Sequence, residues 1–473
     1  MCLAGFSISG QTFYTKYHNE FGIRENAKNI FLNGDTLIVV GGGATNPDVF
    51  TNNDKPIIHL FQLDNGKFIN STHYFLEDSL ISYGVKSSFL SKDNLFICGT
   101  VTPDTVSSLL YRDLFLMKQN INSDNTRIIK IGMPSSLESL LDLHVDKNNH
   151  IYCIGSFESE EEGNDKRKTV IRKFDSDLNQ LWVTELGSEE RDYRSRSITI
   201  DSSSFVYALY SGIFGFTELA KISPIGDTLW TKKYESSSTV VSYQVESSPD
   251  GGVLIYEWVA IESLGVSHLV PQFLKLDTEG NVLWRRHYHN NVGRVGSWSQ
   301  FRVLPDGSFI VAFFQGEEQL RVMKCNADGD VITTFPITGG ANFLYPADIL
   351  AMDDGGYVIV GQLLYDFEPN GETTYIIRTD SLGNFDFTNT TENLIVNNTN
   401  ILSIFPNPCL DLITVDINLD IKISQLLLSN NKGIIVQDLQ MGQNDLSHLS
   451  AGVYHVIAIR GNQIIDTEKL LKQ

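Results

Sequence analysis

The chain repeats itself about every fifty residues, and a period of that length admits few folds. Its clearest anchor is a Leu-Trp pair after a tight turn: Leu181-Trp182 behind Asn179-Gln180, Leu229-Trp230 behind Gly226-Asp227-Thr228, and Leu283-Trp284 behind Gly280-Asn281-Val282. The last two continue as Trp-x-x-x-Tyr to Tyr234 and Tyr288. Weaker copies begin near Phe13, Phe68, Ile128, Val331 and Phe385, so eight anchors spaced by roughly 48 to 60 residues enclose seven repeats.

Each repeat has the same internal order. A first strand ends in a turn such as Asn33-Gly34-Asp35, Pro305-Asp306-Gly307 or Asp353-Asp354-Gly355-Gly356, where Gly supplies the positive φ of a tight hairpin. An apolar second strand follows, often closing on Gly, as in Leu37-Ile38-Val39-Val40-Gly41 and Tyr357-Val358-Ile359-Val360-Gly361. A third strand such as Val170-Ile171-Arg172-Lys173-Phe174 leads through a second turn to the anchor, which is the fourth. A blade of four antiparallel strands cannot cover both of its faces until neighbours stack on it and the ring closes. The pattern therefore predicts an all-β chain with a seven-bladed β-propeller of four-stranded blades over residues 12–388. Thr12–His18 has the anchor pattern with no repeat before it, so it is expected to complete the last blade.

These repeats resemble the Leu-Trp propeller repeats of secreted bacterial proteins, including quinone-binding dehydrogenase-type propellers, over about residues 12–390. The resemblance implies a fold and no particular chemistry, since propellers host hydrolases, oxidoreductases, lectins and scaffolds alike.

Residues 389–400 form a polar linker rich in Asn and Thr. Behind it, Phe405-Pro406-Asn407-Pro408 forces an extended entry, and Leu412, Thr414 and Asp416 alternate with Ile413, Val415 and Ile417 as in a half-buried strand. Further apolar runs predict a small immunoglobulin-like β-sandwich over 401–473. Phe405, Pro406, Asn407 and Pro408 with Asp411, the hairpin Asn431-Lys432-Gly433, Asp445-Leu446-Ser447 with Leu449, Gly452-Val453-Tyr454, and the terminal Lys469-Leu470-Leu471-Lys472 together resemble the type A sorting domain of type IX secretion in Bacteroidetes-type bacteria. Cys409, where a small residue is common, and the apolar Gln425-Leu426-Leu427-Leu428 depart mildly from that pattern. The resemblance implies that a type IX translocon reads the domain and a sorting-domain protease removes it. The cargo is then released or attached to surface glycolipid, so the protein is expected to be secreted or on the exterior of the outer membrane. Residues 1–11, apolar and ending in small residues, are expected to be the remnant of a signal peptide.

Charge narrows the partners. The formal net charge is −21, and since residues after 400 hold five Lys/Arg against seven Asp/Glu, −19 of it lies earlier, which disfavours nucleic acid. No stretch approaches the ~20 apolar residues of a transmembrane helix. The five cysteines stand singly; Cys98 and Cys153 occupy corresponding strands but alternate to opposite faces, so both read as small core residues and no disulfide is expected.

No motif of nucleophilic, metal or nucleotide chemistry is present, so no catalytic residue, metal or cofactor is expected. Asp175-Ser176-Asp177 looks like the start of a calcium loop but lacks the later Gly and Glu, and it sits where the repeat places a turn. Connection lengths carry more information. Those between first and second strands and between third and fourth are short, whereas those on the opposite side of the disc, such as Gly42–Pro56, Thr100–Asp113 and Glu257–Gln272, are long. One face is therefore elaborated, and loops on a rigid scaffold are where binding usually resides. On that face aromatics recur ahead of the first-strand turn as Tyr83, Tyr193, Tyr243, Trp298 and Tyr345, with Arg191, Arg194, Arg196 and Arg294 as their polar partners. They read either as packing between blades or as the rim of a channel that binds a glycan or peptide without catalysis. A propeller enzyme, whether a hydrolase or a quinone-dependent dehydrogenase, and a purely structural surface protein are the alternatives.

Overall fold

The second strands of the repeats are apolar on both faces, and in blade 4 every residue of Val206–Gly212 is buried. Such a strand must be covered from two sides, and where the described elements are all strands, stacked sheets supply that cover. The computed structural model describes residues 12–17, 25–44, 54–74, 81–103, 113–123, 125–131, 136–159, 167–187, 193–212, 216–235, 240–263, 266–288, 300–315, 319–337, 344–364, 372–385, 402–417, 423–430, 435–460 and 463–473. Residues 12–385 build seven antiparallel blades in which strand order follows chain order. The first strands, Glu25–Asn33, Ile81–Ser91, Ser136–Val145, Tyr193–Ile200, Val240–Ser247, Gln300–Val303 and Leu344–Ala351, contact one another in a closed ring and are innermost.

Closure is made by the two ends of the propeller sequence. Phe13–Tyr17 pairs with Glu372–Thr379 from Phe13↔Arg378 to Tyr17↔Thr374 and is the fourth strand of blade 7. The chain turns at Asp380–Gly383, and Phe385 packs on the cluster between blades 6 and 7; the rest of the weak anchor that begins there lies outside the described residues.

The Leu-Trp anchors and the turn glycines are two halves of one contact. Gly226, Gly280 and Gly329 have φ of +99°, +74° and +80°, and each lies under the anchor Trp of the preceding blade: Trp182, Trp230 and Trp284. A Cβ on Gly280 would come within 2.7 Å of Trp230, so both backbone conformation and space demand glycine there. Phe335 covers Gly383 in the same way. Hydrogen bonds accompany the rings: Trp182 Nε1 donates to the Pro224 carbonyl at 3.1 Å, Tyr234 Oη to Gly280 at 2.9 Å and Tyr288 Oη to Gly329 at 2.7 Å.

Two sequence expectations change in the stacked form. Opposite faces of neighbouring blades meet, so the alternation that separates Cys98 from Cys153 brings both, fully buried, into one cluster between blades 2 and 3, where they remain free thiols. The segment Glu257–Gln272 is also less a loop than a ladder. Strands Val253–Ser263 and Val266–Leu276 pair without interruption to Ser263↔Val266 and extend blade 5 as a hairpin.

The C-terminal unit packs a sheet of Leu402–Phe405, Leu412–Ile417 and Gly442–Asp445 against one of Gln425–Asn430, Ile435–Leu439, Gly452–Arg460 and Gln463–Lys472, around Val415, Leu428, Leu446, Val456 and Leu470. Its last strand also pairs with the outer strand of blade 1 through Gln463↔Tyr74 and Ile464↔His73.

The closing strand yields a direct test. A chain starting at residue 20 loses the five pairs to Glu372–Thr379, and its thermal unfolding midpoint is expected to fall by about 5 °C or more relative to the full chain. Equal midpoints would show that the ring does not need this strand.

Candidate functional site

Among the described residues a β-bulge interrupts the innermost strand in six blades, and it determines what faces the channel. Register shifts leave Lys28, Lys86, Leu141, Arg196, Tyr243 and Ala347 without a partner on the second strand. A bulged residue leaves the ladder and re-aims its side chain, and all six line one cavity of about 270 Å³ on the propeller axis, to which all seven blades contribute.

The residue after each bulge is polar: Asn29, Ser87, Asp142, Ser197, Gln244 and Asp348, with Gln300 at the same position in blade 6. The free edge of an innermost strand carries amides with no neighbouring strand, and these polar residues supply most of the missing partners. Asn29 Oδ1 accepts from the Ser88 amide at 2.9 Å, joining blade 1 to blade 2. Ser87 Oγ donates to Asp142 at 2.7 Å, and Asp142 Oδ2 accepts from the Ile198 amide at 3.1 Å. Thr199 Oγ1 accepts from Ser247 at 3.1 Å, and the Gln244 amide group both accepts from and donates to the backbone of Phe301. Arg302 donates twice to Asp348, at 3.1 and 2.6 Å, and Asp348 Oδ2 takes the Ile30 amide at 3.2 Å. Seven links thus circle the channel from blade 1 back to blade 1.

The electrostatics follow from burial. Burial pushes the Asp142 carboxyl above its ordinary value, against the opposing pull of hydrogen bonds from Ser197, Ser87 and the Ile198 and Leu143 amides. Burial likewise lowers His144 to about 4, so the imidazole that lies 4.5 Å from the Phe89 ring is neutral at physiological pH. Glu246 is raised to about 7 by burial, with Asp348 and Asp142 adding to the shift and Arg302 opposing it. At the mouth, burial and the neighbouring Arg194 lower Arg196 from its ordinary value, with Tyr243 opposing the shift.

The aromatic rim expected from sequence resolves into different registers. Tyr83 and Tyr193 pair with Val101 and Gly212, two residues beyond the position of the closing glycine. Tyr345 pairs with Gln362, and Tyr243 is a bulge residue. The structure brings Tyr243 and Tyr345 together at the cavity, both half-buried. Tyr193 is 5% exposed, with Gly187 against its ring and Tyr210 in edge-to-face contact at 5.7 Å. Of the expected arginines, Arg196 lines the cavity and Arg194 is exposed outside it; the side chain of Tyr83 is not among those described, and Arg191, Arg294 and Trp298 fall outside the described residues. Reasoning from sequence missed Lys28, Lys86, Asp142, His144, Glu246 and Arg302. Aligning the repeats on the second-strand glycine would have placed most of them in shared columns. Asp175 is engaged as a turn cap, accepting from Asp177, Asn179 and the Asn179 side chain, and among the described residues no three His, Cys, Asp or Glu side chains converge as metal ligands.

A second site lies at the end of the chain. Asn407 grips the last strand, donating to the Lys469 carbonyl at 2.5 Å and accepting from the Leu471 amide at 2.9 Å, while Lys472 reaches Asp411 at 3.3 Å. Phe405, Pro406, Pro408, Asp411 and Lys469 are exposed around that clasp. Gly452 and Leu449 are half-buried, and Tyr454 is buried with its hydroxyl donating to Ser450 at 2.9 Å. Gly433 lies outside the described residues.

Residues 403–473 match the family described as the secretion system C-terminal sorting domain. The fold and this site define an exported β-propeller: a type IX C-terminal sorting domain makes the protein a secreted or cell-surface one, handled by the type IX secretion system. Among the described residues no helix is long and apolar enough to cross a membrane. None of the curated proteins matches the chain. Similar solved structures include a quinohemoprotein alcohol dehydrogenase from Pseudomonas putida, 10% identical over 79% of this chain and 76% of that one at a TM-score of 0.44. The β-propeller domain of the trilobed protease from Pyrococcus furiosus is 10% identical over 78% and 98% at 0.45. The polysaccharide lyase Uly1 is 8% identical over 77% and 91% at 0.46. At such identities these likenesses assign this chain none of those activities.

Glu246 gives this site a pH signature. Its folded value near 7 lies above its ordinary 4.5, so its contribution to stability is complete below about pH 4.5 and is lost as pH rises through 7. Unfolding free energies measured between about pH 4.5 and 8 should fall for the native chain by on the order of 2 kcal/mol relative to Glu246→Gln, which cannot ionise. Parallel curves for the two proteins would contradict this.

Proposed function

We propose that the exported propeller is a noncatalytic binding module that holds a glycan or peptide at the mouth of its channel. The observation that carries this reading is the axial cavity, where Tyr243 and Tyr345 stand among polar and cationic side chains supplied by all seven blades. Half-buried tyrosines offer a flat apolar face beside a polar tip, which suits stacking on a sugar ring or clasping an extended peptide. Placement on the side of the long connections, with rigid strands beneath, matches the usual location of a binding surface.

Glycan and peptide arrays probed with the full chain, Tyr243→Ala and Tyr345→Ala test the reading. The native chain should bind a restricted set of ligands, and each substitution should weaken that binding on the order of tenfold or more. Absence of binding, or binding indifferent to both changes, would refute it. The sorting unit makes a separate prediction: cells expressing a chain without residues 403–473 should retain the propeller within the envelope, whereas the full chain reaches the surface or medium. Surface labelling and fractionation read the difference, and equal export of both chains would contradict it.

A further inference from the structure

The bulges sort the channel charges by depth. Lys28, Lys86 and Arg196 stand at the bulge itself, from blades 1, 2 and 4, and line the cavity at its mouth. The acidic groups lie one to three residues further along the inner strands and are already engaged. Asp142 serves two serine hydroxyls and two amides, Asp348 is held bidentately by Arg302, and Glu246 accepts from Gln244 at 2.9 Å with Arg302 at 3.7 Å. Arg196 donates Nε to Ser211 Oγ at 2.9 Å, and among the described residues no carboxylate pairs with it or with Lys86. Arg196 is also next to Tyr243 of the following blade. A cluster of cations is thus held in a concave site on a chain of net charge −21.

We infer that the mouth binds an anionic glycan, a saccharide bearing carboxylate or sulfate groups, with Arg196 and Lys86 receiving the anion and Tyr243 the ring face. This rests on the binding role proposed above. Guanidinium matches carboxylate and sulfate oxygens with two parallel donors, and in a concave low-dielectric site that match discriminates charged from neutral ligands more sharply than in open water. The tyrosines favour a ring-bearing ligand over an acidic peptide.

The test measures binding of the full chain to uronic-acid oligosaccharides, sulfated oligosaccharides, their neutral counterparts and poly-glutamate, at low and raised salt. Acidic saccharides should bind at least ten times more tightly than neutral ones and weaken with salt. Arg196→Gln and the exposed Lys86→Gln should each reduce that binding at least fivefold, Arg196→Lys less, and Arg194→Gln little. Response to the carboxylated set alone, or to the sulfated set alone, identifies the source of the anion. Equal binding of neutral saccharides, still dependent on Tyr243, would overturn the anionic assignment and leave the binding role standing. Tighter binding of poly-glutamate would overturn the glycan assignment. No binding of any ligand would remove the binding role itself.

Discussion

The ring of side-chain hydrogen bonds around the channel is the constraint on which the rest of the structure depends. Seven sheets radiating from an axis leave seven innermost strands with one unpaired edge each, and unpaired buried amides are costly. Asp142 and Asp348 solve the problem identically although they lie in blades 3 and 7. One oxygen caps the amide that follows, of Leu143 or Ile349, and the other reaches the next blade at Ile198 or Ile30. Because each link runs from one blade to the next, the ring also sets the spacing of the bulged residues that face the cavity. The axial cavity is a by-product of closing the propeller.

The outer contacts were legible in the sequence and the inner ones were not, for physical reasons. A Trp and a positive-φ glycine can each be replaced by little else, so Trp230 over Gly280 repeats as Trp284 over Gly329 with its letters unchanged. The inner ring needs only a polar atom at the right height, which Asn29, Ser87, Asp142 and Gln244 all supply, so the position repeats in chemistry and not in residue type. The bulge hides it further, since counting residues back from a turn skips a register wherever one is inserted. Tyr83, Tyr193, Tyr243 and Tyr345 looked like one rim because they stand at similar distances ahead of the turn, yet they occupy three registers relative to the bulge. The sorting unit was readable because Asn407 is matched to the backbone of Lys469 and Leu471, which leaves little freedom at either end of the motif.

The sorting unit and the axial cavity are separated along the chain. The exposed clasp of Phe405, Pro406 and Lys469 belongs to the sandwich, and the axial cavity belongs to the propeller, so the first can be read by the secretion machinery without occupying the second. The acidic surface of a chain with net charge −21 keeps the exported protein soluble and repels other polyanions over most of its area. The cationic mouth formed by Lys86 and Arg196 is the local exception, and its position is fixed by the inner ring.

Residue-resolved hydrogen exchange of the Ile30, Ser88, Ile198, Ser247 and Phe301 amides tests that ring most directly. All five sit on innermost strands and are bonded by a side chain of the preceding blade. If the ring holds the propeller together, they exchange as slowly as amides of the buried second strands, through global unfolding. Exchange at the rate of exposed edge amides, while the second strands remain protected, would contradict the account.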